Sequence, residues 1–206
     1  MKIAVLGSGS WATALAKIVM NNVDEINWYI RKQETIDEFI ESRRNPNHLE
    51  WAYFDTNRIY FSTDINEVLD LSNTIIVAIP SPYVKSCLDE INIDISHKKI
   101  ISAVKGMIPD EHTLVTDYIH EHFHVPHENI GVIAGPCHAE EIALERLSYL
   151  TIGGISKQNT QAWSELLTTR YVHVAQSNDV IGLEYSSVMK NIYAIAAGMC
   201  SSLRYG

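Results

Sequence analysis

Apolar positions along the chain fall into two alternating kinds of segment. Short uninterrupted runs read as strands buried on both faces: Ile3–Leu6, Ile26–Ile30, Thr74–Ile79, Ile100–Ala103, Ile130–Ala134, Leu150–Ile152 and Tyr171–Ala175. Between them, Trp11–Asn21, Glu34–Arg43, Ile65–Leu71, Pro82–Ile91, Asp110–His122 and Lys157–Leu167 space their apolar residues three and four apart and read as amphipathic helices. This alternation predicts an α/β fold with a doubly wound, mostly parallel sheet. One long irregular stretch, Arg44–Asn57, contains Asn45-Pro46 and Trp51, and loops of that length are often functional. The pattern changes after Asn178. From Asp179 a single helix is predicted to the end of the chain, with Ala194, Ala197, Gly198 and Ser201 forming a small-residue face. A parallel sheet has no need of such a helix. Residues 1–178 are therefore expected to form the α/β domain, and residues 179–206 the first helix of a helical domain that breaks off at Gly206.

Composition narrows the function classes. With 46% apolar and 20% charged residues in 206, a folded globular chain is expected. A net charge of −9 disfavours a nucleic-acid surface but leaves room for a few local cations to bind a small anion. Cys87, Cys137 and Cys200 are far apart and contain no CxxC pair, which argues against a disulfide framework or a structural zinc site. His120, His122, His124 and His127 lie in one polar stretch beside Pro126 and read as an exposed connector; no metal is expected. The run Val188–Cys200 is too short to span a bilayer and holds Lys190 and Asn191. The first strand starts at the N-terminus, where a leader would otherwise lie. A soluble cytoplasmic protein is expected.

The first strand runs into Gly7-Ser-Gly9-Ser10-Trp11-Ala12 and then into a helix. In that order Gly7 permits a tight turn, Gly9 leaves room for a pyrophosphate, and Ala12 lets the helix pack on the strand. Free N–H groups of the first helical turn would hold the phosphate charge. The next strand-like run ends at Ile30, which fits one βαβ unit, so a Rossmann-like dinucleotide site is predicted. Arg31 and Lys32 follow, where an NAD-preferring site places an acid; two cations suit a 2′-phosphate and favour NADPH, unless they merely open a surface loop. Lys105-Gly106 follows a strand at the carboxyl edge, where a lysine can neutralise a substrate phosphate or face the nicotinamide. Gly135-Pro-Cys-His-Ala-Glu-Glu141 follows another strand and is expected to start a helix with Pro136 near its first position. Cys137 lacks a partner base, so covalent catalysis is disfavoured. Lys190 is the one charge between Glu184 and Arg204. Buried in an apolar helix, it would have a lowered pKa and could give a proton to the alkoxide left by hydride transfer, with Asn191 to orient it. The alternative is a lysine reaching out to solvent.

Taken together, Gly7–Ala14, Lys105-Gly106, Gly135–Glu141 and the helix Gly182-Leu-Glu184…Met189-Lys-Asn…Gly198 resemble the bacterial NAD(P)-dependent sn-glycerol-3-phosphate dehydrogenases, over the whole chain and in the family's order. The resemblance implies reduction of dihydroxyacetone phosphate to sn-glycerol 3-phosphate, a phospholipid precursor, with NADP(H) or NAD(H) as cofactor. It implies cofactor contacts from Gly7, Gly9, Ser10, Trp11, Arg31, Lys32, Lys105 and Ala139, and substrate contacts from Lys105, Gly135, Cys137 and Lys190. Lys190 would donate the proton in reduction and accept it in oxidation. A phosphorylated small-molecule substrate and a homodimer are implied, with no nucleic acid and no stable membrane insertion. The chain departs from the family in Cys137 for a serine, in His138 for an aromatic residue, and in Asn45-Pro-Asn-His-Leu49-Glu-Trp51 for a loop ending in Pro-Gly. The family continues as a helical domain that holds the substrate phosphate, so this chain alone is expected to bind cofactor without full turnover. Two other readings stay open: a related β-hydroxyacid or ketopantoate-type dehydrogenase, which Gly135–Glu141 disfavours, and a non-catalytic dinucleotide-binding fragment.

Overall fold

A computed structural model describes residues 1–109 and 111–205. In chain order the strands are β1 Ile3–Leu6, β2 Ile26–Tyr29, β3 Ile59–Ser62, β4 Thr74–Val77, β5 Lys99–Ser102, β6 Ile130–Ala134, β7 Ser148–Gly154 and β8 Val172–Ser177. The helices are α1 Ser10–Val19, α2 Gln33–Ser42, α3 Ile65–Asp70, α4 Ser81–Leu88, α5 Val115–Phe123, α6 Ala139–Ala143, α7 Lys157–Leu167 and α8 Val180–Ser202. One sheet holds all eight strands in the order β3-β2-β1-β4-β5-β6-β7-β8. The pairings are parallel except β6 with β7, which run antiparallel.

Alternation along the strands divides the core into two layers. Ile3 and Val5 enter the layer that contains α1 and Trp28, whereas Ala4 and Leu6 enter the layer beneath α3, α4 and α5. Trp28 meets Phe39 and Phe54 edge-on at 5.3 and 5.6 Å between ring centres and stacks on Phe61 at 5.8 Å. Trp28 and Phe39 are fully buried, and each contributes roughly 1.5–3 kcal/mol from removal of apolar surface. This double burial is why the strands read as continuous apolar runs. The chain leaves β1 for β2 on one side and continues from β3 to β4 on the other. That reversal opens a crevice at the carboxyl ends of β1 and β4, where doubly wound sheets bind ligands.

Several expectations need correction. β3 occupies the sheet edge although no strand was expected there; Ile59 is buried and Tyr60 exposed, so it lacks the continuous burial of its neighbours. β7 is longer than Leu150–Ile152 and reverses direction. The helix expected from Asp110 begins at Val115; Asp110 itself lies outside the described residues. Ile108 bridges Thr113, and this turn delays the helix. Pro136 is not in the first turn of a helix: α6 starts at Ala139 with His138 as N-cap, and is only five residues long. Its few aligned peptides make it a poor anion site. The stretch from Arg44 is irregular down to Asp55, as expected, but it is held against the fold. Asn45 is 1% exposed within it. α8 begins where expected but stops at Ser202 with Leu203 as its C-cap, short of the predicted run to the chain end; Gly206 lies outside the described residues.

Candidate active site

Two clefts meet the carboxyl edge of the sheet, one on each side of the glycine turn. The first, of about 250 Å³, is lined by Gly7, Gly9, Tyr29, Arg31, His48 and Tyr83 among others. Gly7 has φ +115°, and a Cβ there would stand 2.6 Å from the Ala78 carbonyl oxygen, so β1 and β4 close on it. Gly9 is different. A Cβ at Gly9 would meet nothing within 4 Å, and its carbonyl accepts from Thr13 N–H at 3.0 Å as α1 begins. The turn thus holds one glycine for the fold and leaves open space at the other, as a phosphate lying against the backbone requires.

The turn is held from outside by the long loop. Asn45 Nδ2 donates to Ser8 O at 2.9 Å and to Thr13 Oγ1 at 2.7 Å, while Ser10 Oγ lies in hydrogen-bond contact with His48 Nδ1 at 3.2 Å. Trp28 Nε1 donates to Gly7 O at 2.7 Å. The sequence reading did not assign Asn45 or His48 to the site; the Asn-Pro pair in a long loop was the available signal. Tyr29, Tyr83, Cys87 and Glu90 were also missed as cleft residues, because they are brought in by β2 and α4. Tyr29 OH donates to Glu90 Oε2 at 3.3 Å, and burial pushes its hydroxyl well above the ordinary tyrosine range. Burial likewise pushes the Cys87 thiol up to about 11, which keeps it protonated at neutral pH.

Arg31 and Lys32 separate. Arg31 lines the cleft, whereas Lys32 serves as N-cap of α2 and is not among the lining residues.

The second cleft, of about 320 Å³, is lined by Lys105, Gly135, Pro136, Thr151, Leu183, Ser186, Ser187 and Lys190 with Ala134. Lys105 comes from the loop after β5, Gly135 from the end of β6, and Lys190 from α8. The structure therefore brings together residues 105, 135 and 190. Lys105 Nζ stands 4.3 Å from the centre of the Trp11 ring, which ties this cleft to the glycine turn. Although Lys105 is exposed as a residue, its ammonium is crowded by its neighbours. That desolvation lowers its pKa, the charge of Lys190 lowers it further, and Cys137 and Glu140 oppose the shift. Lys190 itself is half-buried, not buried: α8 leaves the sheet, and its residues from Asn191 to Ser202 are exposed. The desolvation expected from an enclosing apolar helix is thus replaced by a position at the mouth of the cleft.

Cys137 is turned the other way. The residue is 3% exposed, its thiol donates to Tyr149 O at 2.8 Å, and burial raises its pKa. Ala139 is buried at the head of α6, which packs on α1. Neither side chain reaches the cleft lining. Trp11 Nε1 is buried with no hydrogen-bond partner among the described residues, an N–H left over beside the turn. The open Gly9, the Trp11 donor and the nearby Arg31 and Lys105 fit a dinucleotide carrying phosphate charge. Among the described residues no group of three or more His, Cys, Asp or Glu is arranged to hold a metal ion, and no helix is long and apolar enough to cross a membrane.

The sheet order with these two clefts defines the class as Rossmann-like dinucleotide-binding proteins. Comparison with known sequences makes the family specific. The profile of the NAD-dependent glycerol-3-phosphate dehydrogenase N-terminus matches residues 2–161, and that of the same family's C-terminus matches residues 179–206. The chain belongs to the NAD-dependent glycerol-3-phosphate dehydrogenase family. A glycerol-3-phosphate dehydrogenase [NAD(P)+] from Exiguobacterium sp. is 34% identical over 99% of this chain and 60% of its own length. The corresponding protein of Oceanobacillus iheyensis is 30% identical over 100% of this chain and 59% of its own. Among solved structures, the glycerol-3-phosphate dehydrogenase of Plasmodium falciparum superimposes with a TM-score of 0.89 at 29% identity, covering 99% of this chain and 60% of that one. That of Coxiella burnetii gives 0.84 at 25% identity, covering 100% and 62%. The chain spans about 60% of the length of the curated relatives it matches.

Proposed function

We propose that this chain is the cofactor-binding part of an NAD(P)-dependent enzyme that reduces dihydroxyacetone phosphate to sn-glycerol 3-phosphate. In this reading residues 1–178 form the dinucleotide domain, and residues 179–206 begin the substrate domain. The observation that carries it is the convergence of Lys105 and Lys190, from separate elements, on one cleft beside the glycine turn. Gly7 and Gly9 would shape the turn, with Ser10 and Trp11 near the cofactor phosphates and Arg31 at the adenosine end. Arg31 in the first cleft, with no acid at the end of β2, supports a preference for NADPH. Bound NAD(P)H supplies the reducing equivalent. Lys105 offsets the substrate's phosphate charge and orients its carbonyl toward the turn. Lys190 Nζ donates the proton to the carbonyl oxygen during reduction, and takes it back in the reverse direction. Gly135 and the backbone of Cys137 border the substrate, with Ala139 packed behind. Lys32 acts at longer range than Arg31. The family likeness further supports a cytoplasmic homodimer.

The test is NADPH oxidation by the whole protein that contains this chain. Oxidation is expected with dihydroxyacetone phosphate and absent without it. Oxidation with a different oxo acid, and none with dihydroxyacetone phosphate, would defeat the reading.

A further inference from the structure

α8 is 23 residues long and buries one of them, Glu184, which is fully enclosed. A helix on a protein surface is normally held by an apolar stripe. Here the half-buried start of the helix packs on the sheet: a Cβ added to Gly153 of β7 would stand 2.6 Å from Leu183 Cδ1 and 3.6 Å from Val180 Cα. Leu183, Ser187 and Lys190 succeed each other at four- and three-residue steps, so they form one row along the helix. All three line the second cleft. Partly buried contacts of this kind, without a fully buried apolar stripe, hold rotation about the helix axis only loosely.

Glu184 supplies a directional attachment, about 100° around the helix from Leu183. Val115 N–H donates to its Oε1 at 2.9 Å, Thr116 N–H to the same oxygen at 3.3 Å, and Thr116 Oγ1 to its Oε2. Those two amides open α5, where they have no acceptor within their own helix. The carboxylate of one helix thus caps another, through directional bonds that fix its angle.

We propose that Glu184 is the positioning residue for Lys190: by capping α5 it sets the rotation of α8 and so keeps the Leu183-Ser187-Lys190 row turned to the cleft. Its bearing on catalysis rests on the role proposed above for Lys190. The geometric claim can be tested with neither cofactor nor substrate.

The test uses this chain with its lysines reductively methylated with ¹³C, and follows the Lys105 resonance through a pH titration. Because Lys190's charge holds the Lys105 pKa down, Lys105 reports whether Lys190 faces the cleft. Lys190→Gln should shift the Lys105 titration upward. Glu184→Leu should produce the same upward shift, and Glu184→Gln, which keeps an oxygen for the two amides, should leave it near wild type. Should Glu184→Leu fail to fold by circular dichroism, Glu184→Asp replaces it; the shorter side chain draws the carboxylate off its donors and should shift Lys105 upward too. The proposal is overturned if the folded Leu or Asp variant titrates at the wild-type position while Lys190→Gln shifts. It is equally overturned if Lys190→Gln has no effect on Lys105. A chain that shows this coupling yet binds no dinucleotide would sink the functional reading and leave the positioning role standing.

Discussion

Replacing the two glycines of the turn one at a time separates the fold's requirement from the ligand's. Gly7→Ala forces an L-residue to φ +115° and drives its Cβ to 2.6 Å from the Ala78 carbonyl oxygen. The backbone conformation costs about 1–3 kcal/mol, and overpacking against a backbone atom adds about 1–3 kcal/mol. At about 2–4 °C per kcal/mol for a chain of this size, melting should fall by on the order of 10 °C. Gly9→Ala meets neither obstacle, since φ is −73° and nothing lies within 4 Å of the new methyl. Its poorer N-capping and its stiffer unfolded chain each amount to under about 1 kcal/mol and oppose each other, so melting should hardly move. The methyl does occupy the space left for a pyrophosphate, and NADPH affinity should drop at least about tenfold, or roughly 1.4 kcal/mol. Thermal unfolding and calorimetric titration of both variants make the test. A folded Gly9→Ala chain that binds NADPH like wild type would refute the reasoning, as would equal loss of stability in the two variants.

Further expectations follow from the same geometry. Arg31→Ala should weaken NADPH by about tenfold with little change for NADH, and Lys32→Ala should do much less, because only Arg31 lines the cleft; titration with both cofactors decides, and equal losses for the two cofactors would count against 2′-phosphate reading. In the whole protein, Lys190→Ala should lower kcat by about 10²–10⁴-fold while cofactor Kd changes under about twofold, so near-normal turnover would remove the proton-transfer role. Burial raises the Glu184 pKa above its ordinary 4.5, against the pull of its Thr116 and Val115 hydrogen bonds. The folded chain therefore holds a proton there that the unfolded chain has already lost, and stability from this group falls as pH rises from about 4.5 through the folded pKa. Urea unfolding of wild type against Glu184→Gln should show the variant gaining relative stability over that interval. A relative loss would mean the sign is wrong.

The parts of this protein legible in the sequence are those set by short-range pattern. Continuous burial gave away β1, β4, β5 and β6, and the spacing of apolar residues placed α7 at Lys157–Leu167 as observed. Gly7, Gly9, Lys105 and Lys190 stood out because each needs a residue type that ordinary packing does not. What stayed hidden depends on tertiary contact. β3 is a half-exposed edge strand whose Ile59-Tyr-Phe61 run carried a signal that went unread. The start of α5 is fixed from α8 by a glutamate 68 residues away from Thr116. Cys137 looked like a residue of the cleft because its motif lies there, but the chain bends at Pro136 and the Cys137 thiol bonds to Tyr149 O instead. Asn45 and His48 belong to the site only because their loop folds back over the glycine turn.

The most direct test of the central claim is calorimetric titration of this chain with NADPH and then with NADH. Saturable binding of both, with NADPH tighter and the difference abolished by Arg31→Ala, is the result predicted by an open Gly9, the Trp11 donor and a cation in the first cleft. A folded chain that takes up neither cofactor would contradict it, and would reduce the glycine turn to a structural feature of the sheet.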